Sequence, residues 1–322
     1  MLTIAVGLVW LSVKDMSKED VTSAFKRANY FWIALAFIAC ILSHVSRAMR
    51  WQMMMKPMGY KLSFKNSFLS IMVGYLANLG LPRAGEISRS TIVAKYEKIP
   101  FQTALGTVVT DRIIDTLSLL VVMCLALIFQ FNEFYKLLNE QIFQPAFAKI
   151  IALSNSPKIL TALAVLFILV SLGLFLFREK IKVFFNTKVG GLIKGFGEGL
   201  ASVRNVKSFW IFLFHSVFIW TMYFLGIYFC FFCLPETSHL GFKACLALLL
   251  CGTFGVIFTP GGLGAYHGII AAILISTYGI DTNIAKIFPW LPWGTGFVAI
   301  ILFGFASLIL LPFVNREKNA TA

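Results

Sequence analysis

Long apolar runs, interrupted twice by clusters of glycine, proline and charge, dominate the pattern along the chain. Runs at roughly 30–49, 113–131, 159–177, 209–233, 240–258, 263–279 and 290–314 approach the ~20 residues that a helix needs to cross a bilayer, and each predicts a spanning helix. Two shorter runs, 2–13 and 66–82, predict less. The first is too short to span unaided at ~1.5 Å per residue and lacks the basic region and cleavage site of a signal peptide. It reads as a clipped or mis-assigned start rather than an interfacial helix. The second runs into Asn78-Leu-Gly-Leu-Pro-Arg-Ala-Gly-Glu-Ile-Ser-Arg89, where Gly80, Pro82 and Gly85 stand beside Arg83, Glu86 and Arg89. A matching interruption, Thr259-Pro-Gly-Gly-Leu-Gly-Ala-Tyr-His267, carries Pro260, Gly261, Gly262 and Gly264. Paired Gly/Pro breaks in two halves of a polytopic protein point to a central transport site, and these seven glycines and prolines are the expected hinges.

Composition fits this pattern. Of the 322 residues 59% are hydrophobic and 33 are Phe, with mean hydropathy +0.83, so the expected fold class is all-α, an integral membrane protein. We read residues 1–322 as a single transmembrane domain, with a first half at 1–177, a basic loop at 178–208 and a second half at 209–322. The formal net charge of +14 does not indicate nucleic acid, because most Lys and Arg fall in loops, where they set topology and meet anionic lipid. Two such loops, Arg47 to Lys65 and Arg178 to Lys207, belong in the cytoplasm by the positive-inside rule, as does the weakly basic tail Asn315-Arg-Glu-Lys318. The expected location is a bacterial cytoplasmic (inner) membrane.

Between the two basic loops the number of crossings must be even, and the secure spans there are 113–131 and 159–177. The run at 66–82 therefore does not cross. It enters, breaks at Gly80-Leu-Pro82, and returns through Arg83 to Pro100 as a re-entrant hairpin. Irregular backbone at depth requires protein or a wet cavity to satisfy it. For the second break, a hairpin and two full crossings have the same parity, and both remain open. A weak internal echo, Leu81-Pro82 with Gly85, Ile99 and Ala104 against Thr259-Pro260 with Gly264, Ile280 and Ala285, suggests an inverted repeat. The segment Gly191 to Gly199 has small residues every four positions, but Lys194 and Glu198 make it an amphipathic helix on the cytoplasmic face.

Intramembrane charge supplies the candidate chemistry. Thr107, Asp111, Asp115 and Ser118 share one helical face, with Arg112 three residues before Asp115; Ile113, Ile114 and Leu117 face elsewhere. The plainer reading is a structural salt bridge from Arg112 to Asp111 or Asp115. Counting Glu86, Asp111 and Asp115 against Arg83, Arg89 and Arg112 instead gives a balanced polar cluster. His44, Arg47 and Trp51 form another face with Arg50 beside it, at what reads as the end of a span. Snorkelling to lipid phosphate is the default there, and direct headgroup contact the sharper alternative. The six cysteines lie in apolar runs, and Cys230-Phe-Phe-Cys233 reads as packing. The four histidines lack metal-ligand spacing, and no phosphate-binding glycine loop or nucleophile elbow occurs; neither metal nor cofactor is expected.

Four stretches are similar to the flippase-like family named after the transmembrane region of lysylphosphatidylglycerol synthase. They are Arg47-Ala-Met-Arg-Trp51, Asn78 to Arg89, Thr107-Val-Val-Thr-Asp-Arg-Ile-Ile-Asp115 and Thr259 to Tyr266. The resemblance implies a polytopic lipid translocase with two inverted halves, a type sometimes fused to a soluble domain that charges phosphatidylglycerol. It also implies a polar core containing Glu86, Arg89, Arg112 and Asp115. Where the family usually has an acid after the second break and an arginine near the next helix, this chain has His267 and Trp290. One charge of each sign is thereby removed, and His267 brings a group able to titrate near neutral pH.

The expected function is movement of a phosphate-bearing lipid (a phospholipid, aminoacyl-phospholipid or polyprenyl-phosphate type) between leaflets, without catalysis. Arg83, Arg89 and Arg112 are expected to hold the phosphate, helped by Arg47, Arg50 and His267, while Glu86, Asp111 and Asp115 hold the arginines in the empty state. Expected partners are membrane lipids with anionic headgroups, a second copy of the chain, and a separate lipid-modifying enzyme; nucleic acid is not among them. The competing class is a membrane-embedded transferase or an accessory subunit of a lipid or cell-envelope enzyme, against which stands the lack of an acid pair in a cytoplasmic loop.

Overall fold

Side-chain caps and apolar length together decide where the helices begin and which are long. In the computed structural model, which describes residues 17–81, 83–138, 144, 178 and 208–316, all the main elements are helices. They are α1 (Lys18–Arg27), α2 (Tyr30–Met55), α3 (Phe64–Gly80), α4 (Ala84–Glu97), α5 (Phe101–Leu138), α6 (Phe209–Phe231), α7 (Phe242–Phe258), α8 (Ala265–Ser276), α9 (Thr282–Ile287) and α10 (Trp290–Val314). Short polar side chains start several of them by accepting from otherwise unpaired backbone N–H groups: Ser17 from Asp20, Asn29 from Phe31, Ser63 from Asn66 and Asp281 from Asn283. Four stretches, Tyr30–Met58, Phe101–Phe129, Phe209–Phe231 and Thr282–Val314, are long and apolar enough to cross a membrane.

The second break joins two short helices. Helix α7 has 17 residues and α8 has 12, about 26 and 18 Å at ~1.5 Å per residue. Both are shorter than the four long apolar stretches, and they fold back on each other as a hairpin about Pro260–Gly262. The runs 2–13 and 159–177 and the amphipathic segment 191–199 lie outside the described residues, as does Pro82. Residues 1–126 and 202–322 form one compact unit and 127–201 another; both hairpins and the charged residues near them belong to the first.

The two hairpins turn by different means. At the first, Arg83 takes the left-handed conformation, φ 66°, a region costly for a side-chain-bearing residue. Gly80 is the last helical residue of α3 and faces open space, so it is not the hinge expected of it. Gly85 does not bend the chain either; it lets the arms touch. A Cβ on Gly85 would collide with the Gly74 carbonyl oxygen, and the Gly85 N–H donates to Asn78 Oδ1 at 2.7 Å. The second hairpin does turn on glycine: Pro260–Gly262 is a single tight turn, and Gly261, Gly262 and Gly264 all have positive φ. We expect Gly85→Ala to lower the unfolding midpoint in detergent by the equivalent of ~1–3 kcal/mol, the usual range for overpacking. Gly80→Ala should be neutral or stabilising by up to ~1 kcal/mol. Equal midpoints for the two variants would disprove the close-packing role.

Contacts at the helix ends fix the directions of the hairpins. Where α2 begins and α6 ends, the Asn29 N–H donates to the Cys233 carbonyl at 2.9 Å and Arg27 pairs with Glu236 at 2.8 Å. The base of the α3–α4 hairpin is tied to the other end of the bundle. There Asn66 and Asn315, which caps α10, exchange amide hydrogen bonds of 2.8 Å, and Glu97 accepts from Asn66 and Ser63. The α7–α8 hairpin rises from the first end, since α7 starts soon after α6 stops. The tips meet: Leu79 Cδ2 stands 3.2 Å from where a Gly261 Cβ would be. Trp293 of α10 secures the second tip by donating from Nε1 to the Gly261 carbonyl at 2.8 Å.

Candidate functional site

A buried ionic cluster occupies the space between the first hairpin, α2, α5 and α6. Helix spacing builds it. Arg47 and Arg50, three apart on α2, face Asp111 and Asp115, four apart on α5, so two side chains from each helix share one level. Asp111, fully buried, accepts from Arg50 Nη2 at 2.6 Å, Arg89 Nη1 at 3.1 Å and Arg47 Nη1 at 3.3 Å. Asp115 accepts from Arg47 Nη1 at 2.5 Å and Arg50 Nη2 at 2.6 Å. Helix α6 completes this inner shell, as Tyr223 Oη accepts from Arg47 at 3.1 Å and Ser216 Oγ from Arg50 at 3.2 Å.

Trp51 forms the floor beneath Arg89. Its indole N–H donates to Thr107 Oγ1 at 2.9 Å, and the Arg89 guanidinium lies 3.7 Å above the ring, a cation–π arrangement. Buried apolar side chains around Trp51, among them Met54, Met55, Ile71, Val108 and Ile114, exclude water from this level. Ile114 thus faces the core, not away from it. Ser118 turns its hydroxyl back to the Ile114 carbonyl and takes no part in the cluster.

Several expected roles change. Arg47 and Arg50 do not snorkel; both are buried and are the main partners of the two aspartates, because α2 continues to Met55 and leaves them inside the bundle. Arg83 does not join them. It is exposed at the hairpin tip. Arg112, expected to hold Asp111 or Asp115 closely, has Glu86 as its nearest acid, Nε to Oε1 at 3.4 Å, with Asp115 at 3.9 Å. The resulting cluster is not balanced. Arg47, Arg50, Arg89 and Arg112 face Asp111, Asp115 and Glu86, four cations against three anions.

A narrow cleft with a cavity volume of about 10 Å³ runs along the outer side of the cluster, lined by Tyr75, Asn78, Glu86, Arg89 and Arg112. That is room for about one water molecule, so the walls must part to admit a headgroup. Arg89 is buried yet its Nε and Nη2 have no hydrogen-bond partner. Unpaired buried donors are costly, ~1–3 kcal/mol each, and Arg89 is one of the residues that line the cleft. Tyr223, Ser216 and Tyr75 escape a reading of the sequence, because they sit in aromatic or apolar runs without any distinguishing spacing.

His267 stands apart from the charged cluster. Its ring is buried against Trp290, centroids 3.9 Å apart, and Trp293, 5.1 Å apart. Neither ring nitrogen has a hydrogen-bond partner, nor has Trp290 Nε1. Among the described residues no three His, Cys, Asp or Glu side chains converge as metal ligands.

Comparison with known proteins adds two findings. The family model described as the lysylphosphatidylglycerol synthase TM region matches residues 1–304. A UPF0104 membrane protein of Methanocaldococcus jannaschii is 35% identical over 101 residues, a stretch that covers 30% of this chain and 30% of that protein.

Proposed function

The chain belongs to the lysylphosphatidylglycerol synthase transmembrane-region family, and from that premise we propose that it is a lipid translocase, passing a phosphate-bearing headgroup between leaflets while the acyl or prenyl tails remain in lipid. One observation carries the reading: a buried cluster with one positive charge in excess, inside an apolar bundle, with free Arg89 donors at the edge of a cleft. Ionisable groups at such depth are expensive and mark a polar pathway more often than a purely packed core. A purely structural network would be expected to satisfy its own donors; here Arg89 retains two that a phosphate oxygen can accept from with charge assistance.

On this reading the chain is a carrier, not an enzyme, and no covalent step is needed. By the positive-inside rule the connection carrying Lys56 and Lys61, and the end of α10 beside it, face the cytoplasm on this reading. The first hairpin then opens from the cytoplasmic side and the second from the opposite side, in the inverted arrangement common among transporters. Touching tips at Leu79 and Gly261 and the Glu86–Arg112 pair close the route, and passage requires α4 to move away from α5.

The test is a leaflet-accessibility assay in proteoliposomes carrying fluorescent phosphatidylglycerol, read by quenching of the outer leaflet. Wild type should equilibrate the label, and Arg89→Ala should slow it by at least about tenfold, the loss expected for one charge-assisted contact of ~1.5–3 kcal/mol. Equal rates for folded wild type and variant would remove the cluster from the mechanism.

A further inference from the structure

Resting on the translocase reading, we propose that Glu86 sets the headgroup charge this chain accepts, and that the accepted headgroup is a phosphodiester bearing a single negative charge.

The cluster divides into an inner part and a cleft-facing part. Arg47 and Arg50 bond Asp111 and Asp115 at 2.5–2.6 Å in their closest contacts, two charges of each sign in a neutral inner shell. None of these four lines the cleft. Three other charges do line it: Arg89, Arg112 and Glu86. The cleft therefore presents one net positive charge whether its own lining or the whole cluster is counted.

These three groups are also the least committed. Arg89 has two unpaired nitrogens, Nε and Nη2, where Arg47 and Arg50 have one each, Nε. The Glu86–Arg112 contact is long, 3.4 Å, and Arg112 is 43% exposed, so this is the pair that an incoming anion can displace. A phosphate oxygen reaching both Arg89 and Arg112 takes the place of Glu86 on Arg112, and the Glu86 carboxylate remains in the wall as a counter-charge. A phosphodiester then leaves the cleft neutral. A phosphomonoester carries about −1.5 to −2 at pH 7, leaving uncompensated negative charge next to Glu86 in a region of low dielectric, where mismatch costs more than in water. Solvent at Arg112 screens part of this effect, so the discrimination is moderate.

The test measures binding of two short-chain lipids with the same tails, phosphatidylglycerol and phosphatidic acid, to the purified full chain in nonionic detergent at pH 7.5. Wild type should bind the diester about tenfold more tightly than the monoester. Glu86→Gln adds one positive charge and should shift that ratio at least about tenfold toward the monoester. Arg112→Gln removes one and should weaken both lipids, the monoester most. The double variant Glu86→Gln/Arg112→Gln returns the cleft to a single positive charge, and its ratio should move back toward that of wild type. A ratio unchanged by Glu86→Gln in a folded protein that still binds, or a double variant that keeps the single variant's ratio, overturns the charge-matching inference alone. Failure of folded wild type to bind either lipid overturns the translocase reading as well.

Discussion

Asp111→Ala is expected to be the most damaging single substitution in the described fold. Three arginines point at this carboxylate, and it is fully buried. Removing one partner of a buried ion pair typically costs ~3–5 kcal/mol, because the remaining charge is stranded away from water. In Asp111→Ala, Arg47 and Arg50 retain Asp115, but Arg89 loses its acid and keeps only the Trp51 ring. Asp115→Ala should cost less, since that side chain is 15% exposed and its arginines retain Asp111. The variants are compared by unfolding midpoint in detergent and by the fraction recovered as a monodisperse species. A second comparison separates charge stranding from simple cavity formation: Asp111→Ala/Arg89→Met removes one charge of each sign and should regain part of the lost midpoint. A loss in Asp111→Ala no larger than in Asp115→Ala, or a double variant no better than the single, would show that the cluster does not hold the bundle together as described.

The sequence exposes one half of this cluster and conceals the other, for a physical reason. Asp111 and Asp115 are readable because two acids at helical spacing within an apolar run are too costly to leave facing lipid and must meet polar partners inside the bundle. Their partners come from α2, some sixty residues earlier, and the apolar pattern there stops near residue 49. Taken as a span end, that boundary makes Arg47 and Arg50 look like snorkelling side chains. The helix instead runs on through Met53, Met54 and Met55, so the two arginines lie five to eight residues inside it, about 8–12 Å at ~1.5 Å per residue. Arg83 misleads in the opposite direction. It sits among the motif's other charges in sequence, but as the left-handed residue at the hairpin tip it projects away from them. The first hairpin is legible because the apolar run at 66–82 ends in a cluster of Gly, Pro and charge, where α3 gives way to α4. The second requires the packing of two short helices, whose lengths apolar runs overestimate: the run at 263–279 yields a helix only from Ala265 to Ser276. Glycine chemistry is half legible, with positive φ at Gly261, Gly262 and Gly264 but close packing at Gly85, a contact that depends on which residue lies across the hairpin.

Covalent closure of the cleft should stop transport without dismantling the cluster's inner shell. Glu86 on α4 and Arg112 on α5 meet across the cleft at 3.4 Å, so cysteines at both positions, in a background lacking the six native cysteines, can be joined by a short bifunctional thiol reagent with a cleavable disulfide. Removing Glu86 and Arg112 together leaves Arg89 as the cleft's one charge and leaves the bonds among Arg47, Arg50, Asp111 and Asp115 in place. The uncross-linked variant should therefore still move phosphatidylglycerol, more slowly than wild type because one phosphate contact is gone. Cross-linking should lower that rate at least a further tenfold or so, since a headgroup needs far more than the present space of about 10 Å³, and reductant should restore it. The unfolding midpoint should rise on cross-linking, as tying α4 to α5 restricts the unfolded chain. This separates a held gate from a damaged protein. Undiminished transport after complete cross-linking would place the lipid route elsewhere in the bundle, away from the wall that α4 and α5 share.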